Sequence, residues 1–443
     1  MLWLAALIGR GWVDAQWRAL VVLTGSLHAP LVSTWGPLTG APTIRQVRIA
    51  GVPSTVATPA GGGRHPAVVF LNGATAAGRF EPHVVRLTQA LGRAGFVTVV
   101  PDPPGLKHGE ITPRTLAGIA AVTQAVERMP DVSHTGLLGV SVGCSLGLDA
   151  AEDGLAHGLS TVACIAPFVN LRSVVELAFT GSYPEQGGKL LRYPHNSFVA
   201  LVAARSLAES LPVSPAQSLL VSELLAIGDN APHLMARIAA IPMTGLSGPA
   251  AALLRLADNR STARFPALYD RLPADVRDGI AQLSPITHAE GLKVPVEIIS
   301  GPHDSYFPLA QYPPLLHGAP DVQLTVSSVL QHAVPKPTPS NIGGIAHLDG
   351  FAVGALRRFA GPVPLNWLAV VVSLAAIGLV AAEGFAHRRG LVALGGAVAL
   401  LLAAPALYHP LGVPPALVAS LVIVVVTGAV AISSGRSYRR KTQ

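Results

Sequence analysis

The sequence predicts an α/β protein: a doubly wound, mostly parallel sheet with a helical lid insertion and a C-terminal transmembrane helical region. Three observations predict it. Short β-branched runs alternate with helical runs between residues 47 and 168, the pattern of a parallel sheet with crossover helices. The alternation stops from about 170 to 292 and then resumes. Three almost wholly apolar stretches, each of about 20 residues, close the chain, long enough to cross a bilayer.

The elements follow in order. Residues 47–51 and 54–58 read as an opening pair of strands, and 66–73 as a β-branched strand ending in a glycine turn. Residues 81–94 have helical spacing, with Val84, Val85, Leu87 and Leu91 on related faces, and Gly95 stops them. A strand at 96–100 ends in Pro101-Asp102-Pro103-Pro104-Gly105. The helix at 115–129 is preceded by Thr112-Pro113, a start signal. Strands are expected at 136–140, 161–168, 294–300 and 322–330. Residues 170–292 are helical and Pro-interrupted, with no clear strand. That is too long for a plain loop and reads as a lid or cap whose runs 198–202 and 219–221 could line an apolar pocket. The boundaries are then 1–40 for an N-terminal segment, 45–169 and 293–360 for the core, 170–292 for the insertion, 363–433 for three spans and 434–443 for a basic tail.

At the strand-to-helix junction stands "LLGVSVGCSLGLDAAED", with Ser141 inside Gly139-Val140-Ser141-Val142-Gly143. G-x-S-x-G describes a sharp turn that lifts a serine hydroxyl clear of a sheet. The flanking glycines suit a close approach of backbone to backbone. A serine hydroxyl is a poor nucleophile at neutral pH and needs an imidazole oriented by a carboxylate. On such a sheet these groups follow the serine in the order carboxylate, then histidine, just past the carboxyl ends of strands. Asp304, in "ISGPHDSYFP", and His332, in "SSVLQHAVPKP", meet both conditions. The rival base is His347, in "GGIAHLDGF", which reads as a helix start. Asp102 also follows a strand but precedes Ser141, and reads as a turn residue. The oxyanion formed by attack on a carbonyl needs fixed N–H donors. The candidates are the backbone N–H groups of Val142 and of Ala74, the latter in "LNGATAAGRF" after the third strand.

Ser141, Asp304, His332 and "FLNGAT" together resemble the α/β-hydrolase fold superfamily. The elbow sequence is similar to its bacterial esterase and dienelactone-hydrolase-like branches, over about residues 45–360. Many members have His-Gly where this chain has Asn72-Gly73. The resemblance implies serine-dependent hydrolysis of a carboxylic ester, with a small-molecule or lipid ester as substrate. An acyltransferase on the same fold is an alternative, as is a silent, membrane-tethered binding protein, since fold alone does not fix the reaction.

Half of the 443 residues are hydrophobic and 12% are charged, a low charge content for a soluble protein. The surplus lies in 363–382, 390–408 and 414–433, expected to span a cell membrane. Arg388 and Arg389 in the first connection, and Arg436, Arg439, Arg440 and Lys441 in the tail, belong inside by the excess of Lys and Arg on cytoplasmic faces. The loop 409–413 has neither. Three spans then put the preceding domain outside. Arg357 and Arg358 oppose this unless they belong to the last helix of the globular domain. The segment 1–40 holds a short apolar run, then Arg10, Asp14 and Arg18, then a second apolar run. It reads as an anchor, a signal-like segment or an amphipathic helix on the membrane. Because the net charge of +7 comes partly from membrane-flanking arginines, it does not argue for a nucleic-acid partner. There is no C-x-x-C and no zinc spacing, and no cofactor or metal is expected. Cys144 and Cys164 both look buried, but a bond between them depends on geometry.

Overall fold

The structure is a computed structural model. It describes residues 2–27, 39–152, 154, 158–184, 189–193 and 196–361. The three expected spans and the basic tail lie outside the described residues.

Eight strands form one sheet: β1 (Thr43–Ile49), β2 (Val52–Thr58), β3 (His65–Leu71), β4 (Val97–Pro101), β5 (Val132–Val140), β6 (Leu159–Ile165), β7 (Val296–Ser300) and β8 (Val322–Val326). Their order is β1-β2-β4-β3-β5-β6-β7-β8. β2 runs antiparallel to both β1 and β4, and every other pairing is parallel. This mostly parallel sheet with flanking helices fits the α/β-hydrolase fold.

Local sequence explains the helix starts. In α2 (Pro82–Arg93) the side chain of Glu81 accepts from the N–H groups of His83 and Val84, and Pro82 fills the first turn, where its missing N–H costs nothing. Before α3 (Pro113–Glu127), Thr112 accepts from the Thr115 N–H and Pro113 repeats the device. α4 (Val142–Glu152) starts directly after β5 and is buried along its whole length. Its small residues let it lie close on the sheet.

The sheet carries a core on each face. On β3, Ala67, Val69 and Leu71 point to the face covered by α3, α4 and the helical insertion, while Val68 and Phe70 point to the other. That second face is covered by α2, by the final helix Ile342–Ala360 and by the N-terminal helix α1 (Leu2–Ser26). The sequence suggested a membrane segment at 1–40, but Ala15, Ala19, Val21 and Val22 of α1 are buried in this core. Arg18 donates to the Ala94 carbonyl at 2.8 Å, and the Gln16 amide donates to Asp349 at 2.9 Å. Among the described residues no helix is long and apolar enough to cross a membrane. For α1 the reason is plain, since Arg10, Asp14 and Arg18 fall within it.

Between β6 and β7 lie α5 (Leu171–Thr180), α6 (Ser197–Glu209), α7 (Pro215–Ala226), α8 (Leu234–Ala239), α9 (Gly248–Ala257), α10 (Phe265–Tyr269) and α11 (Ala274–Gln282). No strand was expected here, yet Ser182–Pro184 pairs with Leu190–Arg192. Arg205, buried on α6, ties this block to the core. Its guanidinium donates to the carbonyls of His108, Leu224 and Ile227 and to Asp229. After β7 come α12 (Pro313–Gly318), β8 and then α13 (Ile342–Ala360).

The expected strand 322–330 ends early, at Val326. The buried Ser327 still donates its N–H to the Ser300 carbonyl of β7 at 2.9 Å, while its hydroxyl donates to the Gly344 carbonyl of α13 at 2.7 Å. Arg357 and Arg358 do lie in the last helix of the domain, where Arg358 pairs with Glu297 at 3.1 Å and with Asp321 at 3.4 Å.

Candidate active site

Ser141 sits between β5 and α4 with φ at 54°, in the left-handed region that a residue with a side chain rarely adopts. Its N–H donates to the Ile165 carbonyl at 2.8 Å, and its own carbonyl accepts from the Cys144 N–H at 3.0 Å. The turn therefore hangs between β6 and the first turn of α4. Both glycines of the motif are sterically required. A Cβ on Gly139 would overlap the Cys144 backbone, and one on Gly143 would overlap the carbonyl oxygens of Leu71 and Asn72. Backbone atoms give way only if the strand itself moves.

The structure brings Ser141, His332 and Asp304 together. His332 Nε2 lies 2.9 Å from Ser141 Oγ, and its Nδ1 lies 2.9 and 3.0 Å from the two Asp304 oxygens. The carboxylate beside Nδ1 fixes the proton there, so Nε2 accepts from the serine hydroxyl. Asp304 is 1% exposed. Its Oδ1 also accepts from the N–H groups of Tyr306 at 2.7 Å and Phe307 at 3.1 Å. His332 lies at the tip of a small hairpin, Leu330–Gln331 against Val334–Pro335, with φ at 56°. The rival His347 is exposed on α13, with its ring on the Val326 carbonyl at 2.8 Å.

Of the expected oxyanion donors, Val142 adjoins the serine and Ala74 lies in the wall of the same cavity. Val142 is the first residue of α4, where an N–H has no acceptor within its own helix. Gly73 backs onto the serine, since a Cβ there would come 3.4 Å from Ser141 Cβ. Ala74 follows it in the wall of the cavity. This loop is held from two sides. The Asn72 amide donates to the Gly78 carbonyl at 3.1 Å. Asp102 accepts from the Arg79 N–H at 2.9 Å and from the Arg79 guanidinium. Asp102 is thus more than a turn residue, because it anchors the loop that carries Ala74. Tyr306, which stacks on His332, and Phe307 carry one signal in the sequence, their place two and three residues after Asp304.

The cavity at Ser141 has a volume of about 640 Å³, within the usual ligand-site range of about 300–1,000 Å³. Of the insertion, Phe198, Val199 and Val202 of α6 reach it, as do Val174 and Val175 of α5. The expected run 219–221 does not line it. Leu220 is buried among the outer helices, and Leu219 is exposed. Among the described residues no group of three or more His, Cys, Asp or Glu is gathered to hold a metal ion.

No protein-family model matches the chain, and no curated protein matches it. Solved structures with a similar layout include the uncomplexed Pyrococcus horikoshii acylaminoacyl peptidase, at 14% identity over 67% of this chain and 38% of that one, with a TM-score of 0.39. Others are a 2,6-dihydroxy-pseudo-oxynicotine hydrolase, at 16% identity over 74% and 71%, TM-score 0.41, and Est1E from Butyrivibrio proteoclasticus bound to ferulic acid, at 12% identity over 71% and 97%, TM-score 0.38. The chain spans 38% of the length of the peptidase.

Proposed function

We propose that the protein is a serine hydrolase that cleaves a carboxylic ester through an acyl-enzyme. Ser141 Oγ attacks the acyl carbonyl as its proton passes to His332 Nε2. Asp304 keeps the ring oriented and stabilises the imidazolium. The N–H groups of Val142 and Ala74 hold the oxyanion. Collapse of the tetrahedral species breaks the ester C–O bond, and His332 gives its proton to the departing alcohol. Water then attacks the acyl-enzyme with His332 as base, which releases the acid and restores Ser141. The observation that carries this reading is the unbroken hydrogen-bonded chain from Ser141 through His332 to Asp304, each link near 2.9 Å.

The test is labelling of the full chain by a fluorophosphonate probe, with turnover of p-nitrophenyl esters and p-nitroanilides. Ester turnover is expected to exceed amide turnover. Ser141→Ala should abolish labelling and cut kcat by about a thousandfold or more. His332→Ala should do the same to kcat, whereas His347→Ala should not. A wild-type chain that is not labelled overturns the reading.

On the same reading the domain is held at a cell membrane by 363–433 and faces outward. Support comes from the arginines flanking those segments and from the buried Cys144–Cys164 disulfide, since such bonds persist in oxidising compartments. The exposed His303 gives the test: a His303→Cys variant should react with a membrane-impermeant maleimide in intact cells. Protection until lysis would reverse the topology.

A further inference from the structure

The cavity at Ser141 does not end beneath the helical insertion. Its wall includes Val175, Val202 and Ile280, which belong to the core on the insertion side of the sheet. The same wall includes Val22, Phe70 and Phe351, which belong to the core on the opposite side. A single cavity lined from both faces of a continuous sheet has to pass round its edge. The residues at that passage are Val140, Ser141, Leu330 and His332, at the carboxyl end of β5 and on the hairpin beyond β8. Ser141 therefore stands at the bend of a two-armed cavity, with one arm under α5, α6 and α11 and the other between the sheet, α2, α13 and α1.

The second arm has a fixed wall. α1 contributes Val22, Leu23 and Leu27 to it, and α1 is held by the Arg18 bond to the Ala94 carbonyl and by the Gln16–Asp349 pair. From the sheet it is floored by Phe70 and Leu138. A hydrolase of short esters has no use for an apolar arm behind its serine.

We propose that the α1-side arm is a second substrate compartment, and that the substrate is an ester with an apolar chain on each side of the scissile bond. One chain enters each arm, and the carbonyl lies at the bend against Ser141. The proposal rests on the serine hydrolase reading above. Each methylene buried in an arm is worth up to about fourfold in kcat/KM, so two filled arms multiply.

The experiment compares ethyl octanoate, octyl acetate and octyl octanoate on the full chain. kcat/KM for octyl octanoate should exceed each single-chain ester by tenfold or more. Val22→Trp narrows the α1-side arm and Val202→Trp the insertion-side arm. The two should move the ratio of octyl acetate to ethyl octanoate turnover in opposite directions, each by fivefold or more. Thermal melts report folding, and Leu23→Trp replaces Val22→Trp if that variant does not fold. Ratios that stay put, or move the same way in both variants, overturn the second compartment. So does turnover of all three esters with no gain for the double-chain one, an outcome that leaves the serine hydrolase reading intact. Failure of the wild type to react with any ester or with fluorophosphonate overturns both.

Discussion

The ring of Tyr306 stacks on the imidazole of His332, with centroids 4.1 Å apart and planes 15° from parallel. Phe307 meets the same imidazole edge-on, at 5.3 Å and 73°. The backbone N–H groups of these two residues are the ones that donate to Asp304 Oδ1. One short loop thus orients the carboxylate through its main chain and clamps the histidine through its side chains. The arrangement matters because His332 sits on a hairpin with only two residues in each strand, which alone is a weak support.

Tyr306 is accordingly a positioning residue for His332. Tyr306→Ala should lower kcat by about 10- to 100-fold, the scale of a small misplacement at a reacting centre, with a smaller change in KM. Tyr306→Phe keeps the stacked ring and should restore most of the loss. A fall shared equally by both variants would assign the effect to the hydroxyl instead.

The glycine at the far side of the elbow gives a second prediction. A side chain at Gly143 would run into the Leu71 and Asn72 carbonyl oxygens, so Gly143→Ala has to push α4 away from β3. That shift carries the Val142 N–H with it, out of line with Ala74. The expected cost is about 1–3 kcal/mol of stability, as for other overpacked sites, read as a lower melting temperature. Fluorophosphonate labelling should slow in parallel. An unchanged labelling rate would separate the elbow's packing from its chemistry.

Why Ser141, Asp304 and His332 could be read from the sequence follows from where they stand. Ser141 and Asp304 lie just past β5 and β7, whose burial leaves a strong apolar signature, and the order along the chain pointed on to His332, which stands on a separate hairpin beyond the half-buried β8. The supporting contacts were not visible, because they are made across the fold. Asp102 reads as a turn residue until Arg79 is seen against it. Tyr306 is one aromatic among many until it lies on His332. β8 was expected to reach 330, because Ser327-Ser328-Val329-Leu330 continues a strand-like pattern. The bond from the Ser327 hydroxyl to the Gly344 carbonyl, which holds the end of the strand against α13, joins residues 17 apart in sequence. The apolar 219–221 run looked as able to line a pocket as 198–202, since hydropathy does not tell an inner helix from an outer one. For the same reason the apolar part of α1 resembled a membrane segment, when its Ala19, Val21 and Val22 fill a core.

Cys144 and Cys164 are fully buried and bonded to each other, with Cα atoms 5.4 Å apart and a sequence separation of 20. The bond joins α4 to β6 beside the Ser141–Ile165 backbone contact, so it braces the elbow. Closing a loop of this length stabilises a fold by about 3 kcal/mol in the chain-entropy account. The double variant Cys144→Ala, Cys164→Ala should melt at a clearly lower temperature. Alkylation of the unfolded wild-type chain should find no thiol before reduction and two after it. Two thiols before reduction would contradict the bond.

Asp349 faces α1 from α13, and both its oxygens accept from the Gln16 amide, at 2.9 and 3.0 Å. Burial pushes its carboxyl above the usual 3.8, and the Gln16 bond only partly opposes this. A folded-state value above the unfolded one means that the folded chain holds the proton more tightly. Its contribution to stability is then fully present below 3.8 and is lost as the pH rises through the raised folded value. At neutral pH the unfolded chain gains from ionising this group, whereas the folded site disfavours its charge. Asp349→Asn keeps the shape and can still bond to Gln16, but it cannot ionise. It should therefore melt higher than the wild type at pH 7, and the difference should shrink as the pH falls toward 4. A pH-independent gap between Asp349→Asn and the wild type would show that the carboxyl titrates as it does in the unfolded chain, and that α1 docks on α13 without imposing any charge cost.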